Sequence, residues 1–151
     1  MLQDFNYHLG GYGWAEIFFS SDKQNVRFDF SYLSDPITEI ISALLRLLNK
    51  QSETETINFY DEPGRHFLII SKSVTNDINI KIYWSDYWVE SSSSTSQLIY
   101  SDDDVLSNFS KVICDGIDSL LERHTFKDYK EKWVEYEFPI ESFYKLKQTI
   151  G

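Results

Sequence analysis

The sequence predicts an α+β domain: one antiparallel sheet of five to six strands, arranged as hairpin, helix and meander, with helices packed on one face. Three observations predict it. Segments of two-residue alternation follow one another through short polar turns, as in hairpins. Two long segments repeat their apolar residues at helical spacing instead. No strand–helix–strand rhythm recurs, so no parallel sheet is expected. The 151 residues predict a single domain spanning 1–151. A chain of that size buries roughly 70% of its unfolded surface and needs no covalent staples.

The opening MLQDFNYHLGGYGW has an early Asp4 and no long apolar run, so no signal peptide is expected. Its LGGYG reads as a flexible lead-in: it precedes a strand and opens no helix, so it lacks the setting of a phosphate cradle. WAEIFFS (14–20) is a strand and SDKQN a turn. In VRFDFSY, Val26, Phe28, Phe30 and Tyr32 share one face and Arg27, Asp29 and Ser31 the other, which completes a hairpin.

SDPITEIISALLRLLNK is a helix. Asp35 suits the N-cap and Pro36 the first helical position, where no N–H is needed. Ile37, Ile40, Ile41, Leu44, Leu45 and Leu48 form its apolar stripe, and QSETET leads onward. INFY, FLIIS and INIKIYW are three strands, the last two joined by the turn residues VTND. ESSSSTSQ (90–97) is a serine-rich loop and QLIYS one more strand. In SDDDVLSNFSKVICDGIDSLLERH, Ser101 is the expected cap of a second helix, and Asp104 resembles the partner residue of a capping box. Asp102, Asp103 and Asp104 in a first turn complement the helix dipole. Gly116 falls within the apolar face, where it would permit a close approach at about 1 kcal/mol in helix propensity. In the tail, Phe126, Tyr129 and Trp133 have helical spacing, 134–138 is extended, and a last helix after Pro139 turns Ile140, Phe143 and Tyr144 inward.

INFYDEPGRHFLII places Asp61, Glu62, Arg65 and His66 around a Pro-Gly pair. With a strand on each side this is a type II turn, Pro63 presetting φ and Gly64 supplying the positive φ. Neighbouring residues in a strand point to opposite faces, so Asp61 and Glu62 do not make an acid/base pair across one bond.

Lys and Arg number 14 and Asp and Glu 24, a net charge of −10. Such a surface repels phosphate backbones and anionic membranes, so neither nucleic acid nor membrane is an expected partner; a basic protein is. No apolar run approaches the ~18 residues of a membrane span. The single cysteine, Cys114, excludes an internal disulfide and suits a reducing cytoplasm. Asp115 and Asp118 beside it disfavour a thiolate nucleophile. His8, His66 and His124 show no metal-binding spacing, and neither GxSxG nor a Walker lysine motif occurs. No catalytic residue, metal or cofactor is expected. What remains is contact surface. YWSDYW (83–88) packs four aromatics into six residues, more than one strand face can bury. Tyr83, Asp86, Tyr87 and Trp88, with Asp102, Asp103 and Asp104 beyond the loop, are the candidate partner-binding residues for a Lys/Arg-rich protein.

GGYGWAEIFF, SYLSDPITEIISALLRLL, DEPGRHFLI and YKEKWVEYEFP together resemble a family of uncharacterised small bacterial proteins, over nearly the whole chain. The resemblance implies a small cytosolic α+β domain with no assigned reaction. In size, charge and style the chain is also similar to immunity proteins of bacterial toxin systems. The leading expectation is therefore an acidic binding protein without catalysis, an immunity-type inhibitor of a basic toxin. A homo-oligomeric accessory protein is the alternative, which sedimentation would separate; a small-molecule binder or hydrolase comes third.

Overall fold

The computed structural model describes residues 1–88 and 96–151. Strands β1 (Leu2–Gly11), β2 (Trp14–Ser21) and β3 (Asn25–Ser31) form one antiparallel sheet in chain order. Helix α1 (Pro36–Leu48) leads to a second antiparallel sheet, β4 (Thr54–Tyr60), β5 (Arg65–Lys72), β6 (Asp77–Ser85) and β7 (Ser96–Val105), again in chain order. Helices α2 (Leu106–Arg123), α3 (Phe126–Trp133) and α4 (Ile140–Ile150) follow. Of the expected serine-rich loop, residues 90–95 lie outside the described residues, and Ser96 and Gln97 open β7.

The α+β class and antiparallel pairing stand. The single sheet of five to six strands is corrected to two sheets of three and four strands. β3 and β4 are joined by side chains: Ser31 Oγ donates to Tyr60 O (3.2 Å) and Ser34 Oγ to Asn58 O (3.1 Å). The reason is burial. Each sheet has one apolar face, and the two faces meet. Phe28 and Phe30 pack edge-on to Phe59 at 5.2 and 5.1 Å, and Phe19 meets Tyr100 at 6.2 Å. One continuous core fills the space between the sheets and extends to α1, α2 and α3.

The flexible lead-in is also corrected: residues 2–11 are β1, paired with β2 from Leu2↔Ser21 to Gly11↔Trp14. A register shift between Leu2 and Asp4 puts the inward residues at Leu2, Phe5 and Tyr7. That bulge breaks the period of two by which a strand is recognised.

α1 buries Ile37, Ile40, Ile41, Ala43, Leu44 and Leu47, worth roughly 1.5–3 kcal/mol for each large side chain. Asp35 stands at its N-cap, but the carboxylate takes the Thr38 hydroxyl and caps no backbone N–H. α2 starts at Leu106, not near Ser101. Residues 101–105 continue β7, paired through Ile80↔Asp102 and Ile78↔Asp104. On α4, Phe143 and Leu146 are buried and Tyr144 is exposed, against the inward expectation. Leu146 is three positions from Phe143 and shares its face, whereas the next residue is rotated away from it.

α2 covers the free edge of β1. Asn108 Nδ2 donates to Leu2 O (3.1 Å) and Arg123 Nη2 to Tyr7 O (2.7 Å). Two carbonyls that no strand takes are thus satisfied, which protects an otherwise sticky edge.

The 61–64 turn is a hairpin turn, of a different type from that expected. Asp61 N donates to Gly64 O (2.9 Å), and the Glu62–Pro63 peptide is cis. Pro63 is therefore the third residue of the turn, as a type VI turn requires. Asp61 Oδ1 accepts from Glu62 N. Gly64 has φ +93°, and a Cβ there would lie 2.5 Å from Trp84 Cη2 and 2.8 Å from Ser85 O. Gly64→Ala is expected to cost about 2–3 kcal/mol, combining a left-handed backbone with overpacking. A urea midpoint equal to wild type would refute this geometry.

Candidate partner-binding surface

The candidate residues separate into two groups. Trp88 is 47% exposed and Tyr87 48%. Trp88 Nε1 donates to Asp61 O at 2.8 Å and its ring meets Tyr60 edge-on at 6.0 Å. Trp84 Nε1 donates to the exposed Asp86 at 3.2 Å. Trp88, Tyr87 and Asp86 therefore stand beside the 61–64 turn, with the Trp88 indole N–H and the Asp86 carboxylate hydrogen-bonded and both aromatic rings partly open. Tyr83 belongs to the outward face of β6. It stacks on Phe67 at 5.1 Å, and the Arg65 guanidinium covers Phe67 from 4.4 Å.

Asp102, Asp103 and Asp104 do not form an exposed acidic cluster, nor a helix's first turn. On a strand they alternate. Asp103 is exposed and accepts from Asn79 Nδ2 (3.0 Å). Asp102 and Asp104 share the inward face of Tyr100 and are 7% and 5% exposed. Asp102 lies 3.3 Å from the Met1 amine. Asp104 accepts from Leu2 N (2.7 Å), Val105 N (2.7 Å) and Asn108 Nδ2 (3.0 Å). Two of the three aspartates thus join β1, β7 and α2.

The acidic surface beside the aromatics is built from other residues. On the outward face of the first sheet, register sets His8 opposite Glu16, and Glu16 opposite Asp29. With Gly10, Trp14, Ala15 and Asp61 these line a groove of about 490 Å³. Trp14 is 39% exposed. Arg27 Nε is 3.7 Å from Glu16, the one basic group paired to a groove carboxylate among the described residues. Asp61 belongs both to this groove and to the turn that holds Trp88, so groove and aromatics form one surface. Sequence reading passed over Glu16 and Asp29 because each is an ordinary polar position of an alternating strand. Only the cross-strand register puts them side by side.

The other reactive groups are otherwise engaged. Cys114 is buried, which pushes its thiol up to about 11, with Asp118 adding to the shift. It borders a depression of about 560 Å³ whose charges are paired, Lys111 with Asp115 and Lys147 with Asp118. His124 ends α2 and pairs with Asp128. Cys114 and His124 are ten residues apart along α2, about 15 Å at helical rise, so they do not act as a pair. His66 is not a surface histidine. It is sandwiched between Phe28 (4.0 Å) and Trp84 (4.7 Å). Among the described residues no three His, Cys, Asp or Glu side chains are grouped to hold a metal ion, and no helix is long and apolar enough to cross a membrane.

No protein-family model, curated protein or solved structure matches the chain. The class that fold and site define is a two-sheet α+β protein with an acidic, aromatic-rimmed groove.

Two half-buried groups set opposing pH dependences. Burial depresses His66 to about 4, partly offset by Asp61. Its contribution is complete above the ordinary histidine value and is lost as pH falls toward 4. Burial raises Glu39 to about 7, helped by Asp35. Its neutral form is favoured in the fold, so stability falls as pH rises from the ordinary glutamate value through 7. Discounted for residual exposure, each effect is on the order of 2 kcal/mol, and they offset one another across their shared window. Glu39→Gln is expected to leave the His66 slope alone, so that stability climbs from pH 4 to 6.5. Urea unfolding across that range at low salt checks it. A variant profile as flat as wild type would contradict the assignment.

Proposed function

We propose that the protein is an acidic binding protein without catalysis, an immunity-type inhibitor that takes a basic toxin on the groove of the first sheet. One observation carries the reading: exposed Trp14, Tyr87 and Trp88 stand with Glu16, Asp29, Asp61 and Asp86 on one surface of a chain of net charge −10. Aromatic anchors give a desolvated contact, and carboxylates favour arginine or lysine opposite. The overall charge steers a basic partner and accelerates encounter. Asp102 and Asp104 have no part in the contact, because they are buried. The likeness to immunity proteins in size and charge agrees with this reading.

The test uses an arginine-rich peptide as probe, followed by tryptophan fluorescence, and then a basic nuclease of the toxin class. Replacing Glu16 and Asp61 together by lysine is expected to weaken binding at least tenfold, about 1.4 kcal/mol, and to flatten its salt dependence. Replacing Asp103 is expected to change little. Equal binding by the double variant would overturn the placement of the surface. No binding of either basic probe at low salt would overturn the function.

A further inference from the structure

The ends of α2, α3 and α4 meet around a cavity of about 410 Å³. Its deepest wall is Phe143, 1% exposed, with Leu121 and Ile140 packed against the core beside it. Its rim is aromatic. Phe126, the first residue of α3, is 51% exposed, and Tyr144 of α4 is 59% exposed. Phe126 stacks on Phe138 at 5.8 Å, which fixes the ring and leaves its other face open. Phe138 in turn meets Phe143 edge-on at 5.7 Å, so the rim is braced by the core. Tyr144, expected inward from helical spacing, stands at this opening instead.

Small-molecule sites are mostly apolar clefts of roughly 300–1,000 Å³ with a few fixed polar groups. The polar groups here are His124, Thr125, Asp118 and Lys147. Lys147 Nζ lies 2.9 Å from Asp118 Oδ1 and 5.2 Å over the Phe143 ring. That pairing leaves no unbalanced charge at this end, and apolar walls disfavour a charged ligand. The His124 side chain is 11% exposed, and its Nδ1 bonds Asp128, outside the cavity lining. In a neutral imidazole, that bond puts the proton on Nδ1 and leaves Nε2 as an acceptor. A fixed acceptor among apolar walls selects a ligand that brings a donor.

We propose that this cavity binds a neutral, planar aromatic molecule of one or two rings that carries a single O–H or N–H donor. The ring lies against Phe126, Phe143 and Tyr144, and the donor meets His124 Nε2. Asp128 is a positioning residue that holds the imidazole. This cavity and the acidic groove share no lining residue, so neither reading depends on the other.

An amide NMR titration of the full chain with indole tests it, against N-methylindole, which has the same rings and no donor. Indole is expected to give saturable shifts centred on residues 118–126 and 140–147, with a Kd below about 1 mM. N-methylindole is expected to bind at least about fivefold more weakly, because it leaves the acceptor unpaired. His124→Phe is expected to bind the two probes alike. If that variant does not fold, Tyr144→Ala, at an exposed position, is expected to weaken indole at least about threefold. Shifts that do not saturate, or that centre elsewhere, would overturn the proposal. So would equal binding of both probes by wild type, or undiminished indole binding in the variant that folds. Sedimentation as a dimer that Tyr144→Ala returns to monomer would give the cavity to a second copy and overturn it as well.

Discussion

Gly116→Ala is expected to destabilise the protein by about 3 kcal/mol, although alanine is the better helix former by about 1 kcal/mol. The glycine lies on the face of α2 that covers the edge of β1. A Cβ there would stand 2.3 Å from Phe5 O and 2.4 Å from Phe5 Cδ1. The first contact is with backbone, which no rotamer change relieves. Either α2 moves off the strand, or β1 moves off β2. Moving α2 lengthens the bonds from Asn108 to Leu2 O and from Arg123 to Tyr7 O. Moving β1 disturbs the aromatic packing of Phe5 on Phe19 and of Tyr7 on Phe30. Urea unfolding with an unchanged slope and a lowered midpoint is the expected record. A midpoint at or above wild type would mean that α2 does not lie this close.

Asp104→Ala is expected to cost about 3 kcal/mol, while Asp103→Ala stays within about 0.5 kcal/mol of wild type. The contrast separates two local structures for one tripeptide. In a helical first turn, all three aspartates would favour the helix through its dipole by a few tenths of a kcal/mol each. In the strand, Asp104 alone receives Leu2 N, Val105 N and Asn108 Nδ2 in a buried setting. Removing it leaves the Leu2 and Val105 N–H groups without that acceptor and frees Asn108 from its carboxylate, while exposed Asp103 loses only its bond to Asn79. Equal and small effects at both positions in chemical unfolding would restore the helical reading.

The candidate surface was partly legible. Tyr87, Trp88 and Asp86 were marked by aromatic density in a segment that one strand face cannot bury, and they stand exposed beside the turn. Asp102 and Asp104 were misplaced because a run of acids before an apolar helix carries the same local signature as a helix start. What decided otherwise was their pairing to Ile80 and Ile78 on β6, a contact more than twenty residues away.

By itself the sequence determined what depends on near neighbours: the alternation of β3 and β6, the helical stripe of α1, the hairpin turn at Gly64 and the acidic charge of the whole. These follow from the periods of two and 3.6 and from the steric demands of single residues. Tertiary structure alone decided the division into two sheets, the strand at residues 2–11, the start of α2 and the joining of Glu16, Asp29 and Asp61 into one groove. Each of these rests on burying an apolar face, or satisfying a strand edge, against a segment distant in the chain. Local periodicity carries no information about which distant segment that is.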